Sequence, residues 1–234
     1  MKTPLLSLSD DATSWPSLRW IEFGGWPRKE ATVVVVPLVG LADWGFGLPL
    51  DLEEILLCSI MKEASERRAE TPLLVLPPLR FVLGPVPGCA FGISPPVACT
   101  LIEDVVLSVK SSGFTRVVLL NSSPWNEELC DAVARDLRIQ HGLQMFCIAM
   151  GGLGLDLHPV RGQSRSRART LYEAITGISA EAQPQAADTS EDAEAVPPEQ
   201  ILESAAIKLA SLLNEIADRP PLPDGGRIGS FQDP

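Results

Sequence analysis

Imidazole is almost missing from this 234-residue chain: His141 and His158 are the only two histidines, and no Cys/His or CxxC spacing accompanies them. That removes the usual sequence signatures of a zinc site. The five cysteines, Cys58, Cys89, Cys99, Cys130 and Cys147, are odd in number and widely spaced among apolar neighbours. They read as reduced, buried small hydrophobes rather than a disulfide framework or a catalytic thiol. Positive charge is also scarce. Nineteen Lys and Arg stand against thirty Asp and Glu, a formal charge of −11, which repels a phosphate backbone or an anionic bilayer and argues against nucleic-acid binding. No stretch reaches about 18 uninterrupted apolar residues, and residues 1–11 carry no signal-like run. The expectation is a soluble, cytoplasmic protein with neither nucleic acid nor membrane as partner.

What the chain has is apolar bulk, 45% hydrophobic residues, enough for one sizeable core. From Ala31 onward, short β-branched runs alternate with amphipathic stretches, the rhythm of a parallel sheet with crossover helices. Thr32 to Val36 shows no polar alternation and reads as a strand covered on both faces. A helix is predicted from about Leu52 to Ala69, then a strand from Leu73 to Leu76 stopped by Pro77-Pro78. A Gly/Pro-rich loop from Gly84 to Pro96 leads to a second helix, with Leu101, Ile102, Val105, Val106 and Val109 on one face and Gly113 as its C′ residue. A strand from Arg116 to Leu120, a helix carrying Leu129, Val133 and Leu137, and a strand from Gln144 to Met150 follow. The fold class is therefore α/β, a single three-layer domain with a mainly parallel, doubly wound sheet.

Composition divides the chain further. Residues 1–30 read as an N-terminal extension holding Trp15, Trp20 and Trp26, and 31–178 as the α/β domain. Residues 179–198 have almost no large apolar side chain and read as a disordered acidic linker. In 199–218, Ile201, Ala205, Leu209, Leu212, Leu213 and Ile216 form the stripe of a helix docking on the domain. Residues 219–234, rich in Pro and Gly, read as a flexible tail.

Ligands of open parallel sheets bind beyond the carboxyl ends of the strands, which directs attention to the segments after Val36, Leu76, Leu120 and Met150. The run Pro37-Leu38-Val39-Gly40-Leu41-Ala42-Asp43-Trp44-Gly45-Phe46-Gly47-Leu48-Pro49-Leu50-Asp51-Leu52-Glu53 resembles the segment PxGSxEQHGxHLPxxxD of the creatininase (creatinine amidohydrolase) family. Asn121 to Asn126 stands where that family has NGHGGN or NGHxEN, and Val75–Leu79 and Ser111–Asn121 match its framework. The resemblance covers about residues 31 to 150 and implies the creatininase-like fold. It also implies a pair of divalent metals, zinc or manganese, held by the Glu and His of EQH, the following Asp, the His of NGH and a further Glu. In this chain those positions carry other residues. The first Glu falls on Ala42, the EQH His on Trp44, the xHLP His on Gly47, the Asp on Glu53 and the NGH His on Ser123, while Trp125 stands where some members supply a Glu. Only Glu53 retains a metal-binding group.

The expected site is thus a vestigial pocket of Ala42, Asp43, Trp44, Gly47, Glu53, Asn121, Ser123 and Trp125, with no catalytic residue and no bound cofactor. Trp44, Phe46 and Trp125 would fill it with aromatic volume. Without the ion, nothing acidifies a water for attack on an amide. Asp43, Asp51, Glu53, Glu54, Asp156 and His158 could form a rebuilt site. The plainer reading is that Asp51 caps the following helix while Glu53 and Glu54 favour its positive end. Ser122 and Ser123 sit in a strand-to-helix turn, but without GxSxG they read as caps of the helix near Trp125, reinforced by Glu127 and Glu128. Gly151-Gly152-Leu153-Gly154 reads as a turn, not a phosphate loop. Arg161, Arg165, Arg167 and Arg169 read as a solvated run before a helix near Leu171, and His141 as a helix C-terminal residue. Two functions remain: a non-catalytic subunit in a homo- or hetero-oligomer that supports or regulates an intact creatininase-family paralogue, or a divergent hydrolase of a cyclic amide or other C–N bond.

Overall fold

The structure, a computed structural model, describes residues 13–45, 47–67, 72–157, 164–179 and 196–221. Expectations for Phe46, His158, Arg161 and most of the linker and tail lie outside the described residues. In chain order the elements are α1 (Trp20–Gly24), β1 (Val33–Val39), β2 (Leu41–Ala42), α2 (Leu52–Arg67), β3 (Leu73–Val75), β4 (Leu79–Arg80), β5 (Val82–Leu83), β6 (Cys89–Ala90) and β7 (Gly92–Ile93). They continue with α3 (Pro95–Ser111), β8 (Arg116–Asn121), α4 (Glu127–His141), β9 (Gln144–Ala149), α5 (Ser164–Thr176) and α6 (Pro198–Ala217), with short 3-10 turns at Trp15–Ser17, Pro124–Asn126 and Met150–Leu153.

The main sheet runs β3-β1-β8-β9, all parallel, and β4 pairs with β1 beyond β3. Pro77 and Pro78 separate β3 from β4, because proline offers no N–H to the ladder. The valine run of β1 serves two cores at once: Val33 and Val35 join a cluster with α2, α5 and α6, while Val34 and Val36 join one with α3 and α4. Period-two side-chain alternation under two apolar layers accounts for that division. The Gly84–Pro96 stretch, expected to be a loop, instead contributes β6, paired with β2, and β7, paired with β5. Pro95 and Pro96 form the first turn of α3, where a helix N–H has no intrahelical partner to lose. Near the front, Trp15, Phe23 and Trp26 surround Phe114, and Trp20 stays exposed.

The chain passes from β1 outward to β3 and then crosses back to β8. The strand order therefore reverses between β1 and β8, and the crevice above their carboxyl ends is the switch point where this architecture places its ligands.

At the opposite end of the sheet the foot is closed by Arg116. Its buried guanidinium donates to Gln144 Oε1 at 2.8 Å, to Arg219 O at 2.6 Å, and to the carbonyls of Ala31 and Ala217. Gln144 Nε2 donates to Pro220 O at 2.6 Å. The last carbonyl of α6 and the two carbonyls of Arg219 and Pro220 just beyond it thus receive donors from β8 and β9, and a cation sits where the helix dipole is negative. We expect Arg116→Ala to destabilise the fold by about 3 kcal/mol, since it strands buried carbonyls. Denaturant unfolding measures the loss, and hydrogen exchange should locate it in the last turns of α6.

Candidate functional site

The switch point is built from three segments: Gly40 after β1, the first turn of α2, and Asn121 to Asn126 after β8. Leu52 and Leu56 are fully buried in the core shared with α5 and α6, and anchoring this face of α2 carries Glu53 inward with them. Its side chain is 0% exposed. Its Oε2 accepts a hydrogen bond from the Gly40 N–H at 2.9 Å. Gly40 is required there. A Cβ at this position would lie 2.6 Å from Ser123 Oγ and closer still to Glu53 Oε2.

Three buried polar atoms face this meeting point without a well-formed hydrogen bond: Glu53 Oε1, Ser123 Oγ and Trp44 Nε1. Ser123 and Trp44 lie close enough to the carboxyl to favour its charged form, as does the Gly40 N–H, but desolvation outweighs all three and pushes the Glu53 pKa up to about 8. At neutral pH the group is mainly a carboxylic acid, able to donate as well as accept. Trp44, 2% exposed, covers it and meets Trp125 with ring centroids 5.7 Å apart in a tilted arrangement. Apolar and aromatic bulk thus closes the crevice, with Trp44, Ala42 and Trp125 joined to the α2 core.

The neighbouring turn is held by its own side chains. Asn121 Oδ1 accepts the Ser123 N–H at 3.2 Å and its Nδ2 donates to Ser123 O at 2.7 Å. Ser122 N–H donates to Leu38 O at 3.0 Å, tying β8 to β1. Neither serine hydroxyl caps the helix as expected: the turn begins at Ser123 without a side-chain cap, and Ser122 Oγ points to Leu38 O at 3.4 Å. Asn121 already satisfies the local backbone, which leaves the hydroxyls facing inward. Asn126, the last residue of the Asn121–Asn126 run but not among the expected pocket residues, is fully buried and bridges to Phe81 O and Leu83 N–H at 3.0 Å each. Its signal in the sequence was its match to the final Asn of the NGHGGN segment, which gave no indication of the direction of its side chain.

The expected pocket residues do not all converge. Asp43 is exposed and accepts the Gly45 N–H at 2.8 Å within its own loop, and Gly47 is exposed with φ +67°. Glu54 is not merely a dipole partner. Its buried carboxylate pairs with both Nε (2.7 Å) and an Nη (2.6 Å) of Arg80, a bidentate grip of β4 on α2. The Gly151–Gly154 segment is a 3-10 turn, and Arg167 donates to Gly154 O at 3.2 Å. Arg169 pairs with Glu173 on its own helix. His141 ends α4 at the foot of the sheet, 3.4 Å from Glu103, so Ser123 has no imidazole beside it among the described residues.

A divalent metal pair does not fit this donor set. No group of three or more His, Cys, Asp or Glu able to hold a metal exists among the described residues. The switch point offers one largely neutral carboxyl, one hydroxyl and an indole N–H, which cannot ligate.

The buried acid sets a pH dependence. A carboxyl whose folded pKa lies above its ordinary value of 4.5 binds more protons folded than unfolded between about 4.5 and 8, so its contribution is full below that window and is lost as pH rises through it. Glu53→Gln keeps an acceptor for Gly40 but cannot ionise. Its stability relative to the native chain should rise by about 1.4 kcal/mol per pH unit across the window, read from urea unfolding at several pH values. A flat difference would show that Glu53 is not held neutral. Gly40→Ala should destabilise by about 2 kcal/mol through overpacking, visible in the same measurement.

Comparison with known proteins supplies the family. The family model described as creatinine amidohydrolase (Creatininase) matches residues 16–197. No curated protein matches the chain significantly. Among solved structures, a protein of Bacteroides fragilis NCTC 9343 assigned to the creatinine amidohydrolases superposes with a TM-score of 0.68 at 16% identity, covering 90% of this chain and 98% of its own. A creatinine amidohydrolase (creatininase) gives 0.66 at 16% identity over 90% and 100% of the two chains. A structure named "Creatininase Mn" gives 0.64 at 16% over 89% and 100%. At these identities the structures establish a shared fold, and the match of the family model over most of the chain establishes that it belongs to the creatininase family.

Proposed function

We propose that this protein is a non-catalytic member of its family, a cytoplasmic subunit that supports or regulates an active amidohydrolase paralogue through assembly. The observation that carries this reading is the buried Glu53, Ser123 and Trp44 group at the switch point. Amide hydrolysis of the metal-dependent kind needs an ion to polarise the carbonyl and to generate hydroxide at neutral pH. Here an indole covers a protonated acid, and the closed, apolar surroundings favour packing over turnover. What such a chain can still offer is its surface and its fold. The rival reading, hydrolysis of a cyclic amide or other C–N bond through a rebuilt site, would need a general base and an electrophile together, and two of its candidate carboxylates are already engaged, Glu54 with Arg80 and Asp43 with the Gly45 N–H of its own turn.

Protein purified without chelator should carry well under one divalent ion per chain by mass spectrometry and should leave creatinine unhydrolysed. Stoichiometric zinc or manganese, lost in Glu53→Ala, would overturn the reading. Co-expression with an intact creatininase-family protein from the same genome should yield a complex on co-purification. Failure to associate would remove the regulatory half of the proposal.

A further inference from the structure

Away from the switch point, charges of both signs line a groove of about 360 Å³ between α4 and the end of α6. Phe146 to Ala149 of β9 form its floor, and Leu212 and Ile216 of α6 add apolar flank. Its walls carry Asp131 and Arg138 on α4, Glu215 on α6 and Arg219 just beyond it. Coulomb attraction favours pairing of opposite charges in a shared concavity, yet no ion pair joins any of these four among the described residues. Cys147, the other ionisable group of the lining, stays neutral. Burial first, and then Asp131, push its thiol up to about 12, and it donates to Cys130 O at 3.2 Å.

The four charges are ordered along the groove. α4 descends from the carboxyl end of β8 to Gly142 just before β9, so Asp131 stands toward the head and Arg138 toward the foot. α6 descends to the Ala217 carbonyl caught by Arg116, which sets Glu215 above Arg219. Both acids therefore lie at one end and both bases at the other. Asp131 and Arg138 are seven positions apart and Glu215 and Arg219 four, which along a helix is about 10 Å and about 6 Å. The guanidiniums are held in place with donors to spare. Arg138 Nε donates to Met145 O at 2.8 Å, which leaves both Nη groups for another acceptor. Arg219 stands over the Phe146 ring, 5.4 Å from its centroid, and its side chain donates to no protein group among the described residues. A guanidinium fixed in this way can meet a carboxylate with two parallel N–H groups at little entropic cost. At the acidic end, Glu215 Oε1 accepts a 3.3 Å bond from Ser211 and Asp131 lies beside the Cys147 thiol, so both carboxylates keep lone pairs for an ammonium.

We propose that this groove is a binding site for an extended zwitterion, with its ammonium at the head between Asp131 and Glu215, its carboxylate at the foot between Arg138 and Arg219, and its apolar body on Phe146 and Ile148. A simple anion would meet the acids and a simple cation the bases, so neither matches the lining. A single α-amino acid is too short, because one residue spans at most about 3.6 Å. A dipeptide, or an ω-amino acid of the same length, spans about 7 Å, between the two wall spacings. The groove lies outside the switch point, and its reading does not depend on the state of Glu53.

Calorimetric titration of the full chain with alanyl-leucine should show one molecule bound per chain with a Kd below about 1 mM. Acetylating the dipeptide's amine or amidating its carboxyl should each weaken binding about tenfold, the loss of one charge-assisted contact. Leucine alone should fail to saturate. ε-Aminocaproate distinguishes the sources of the ligand: equal affinity points to an ω-amino acid, tighter binding of the dipeptide to a peptide. Glu215→Gln should shrink the preference for the free amine while keeping that for the free carboxyl, and Arg219→Gln should do the reverse, a pattern of pairwise coupling that a general structural change does not produce. Asp131→Asn repeats the amine test from the opposite wall should Glu215→Gln fail to fold. Absence of saturable binding by both zwitterions, affinity indifferent to the blocked ends, or variants that keep both preferences intact would overturn the proposal. Metal content and creatinine hydrolysis judge the non-catalytic reading separately.

Discussion

The hydrogen bond from the Gly40 N–H to the Glu53 carboxyl is the contact around which the upper end of this molecule is arranged. It closes the gap between β1 and α2, and it does so only because Gly40 has no side chain to push Ser123 and Glu53 apart. Once α2 is seated there, Leu52, Leu56, Leu57 and Ile60 enter the core that α6 completes. A charged carboxylate would bear a desolvation cost of several kcal/mol at such a site. A neutral acid bears far less, and the direction of the Glu53 shift follows from that difference.

The two ends of the sheet solve the same physical problem in different ways. At the foot, Arg116 keeps a full charge in a buried place by surrounding itself with carbonyls and the Gln144 amide. Desolvation lowers its pKa, yet guanidinium chemistry leaves it charged at any ordinary pH. At the head, Glu53 has one backbone donor and a surplus of apolar neighbours, so it surrenders its charge instead. A guanidinium held by carbonyl acceptors and a neutralised acid are both ways of burying a titratable group without leaving a charge unsolvated.

Much of the architecture was legible in the sequence because parallel strands covered on both faces write unbroken β-branched runs, and Thr32 to Val36 is such a run. Helix α3 announced itself through Ile102, Val106 and Val109, all buried on one face, whereas Val105, read onto that face too, is half-buried and Leu101 is exposed. The short strands β6 and β7 were not legible, since two-residue pairings leave no periodicity to read. The switch point was half legible. Position placed Trp44, Glu53, Ser123 and Trp125 together, whereas Asp43 lies next to Trp44 in sequence yet turns outward to hold Gly45. A single-residue alternation of direction in an irregular loop is set by tertiary contacts, and no local pattern encodes it. The same holds for Glu54, whose partner Arg80 comes from a strand whose pairing depends on the rest of the sheet.

That Glu53 keeps a carboxyl where a metal-binding family has a ligand could suggest residual metal chemistry, but the surroundings argue for a different role. A ligand position needs its lone pairs aimed into an open coordination sphere with other donors across it. Glu53 directs one oxygen at a backbone N–H and sets the other near a hydroxyl and an indole N–H. Ser123 can donate or accept and the indole can only donate; a cation at that point would repel the indole N–H, whereas a protonated acid and a hydroxyl are chemically compatible neighbours. The group therefore works as a polar keystone in an apolar crevice, and it explains how imidazole can be absent here without disturbing the fold. The exchanged positions Ala42 and Trp44 have joined the core above α2, while the layers beneath them are built mainly from Val, Leu, Ile and Met side chains of the strands and helices.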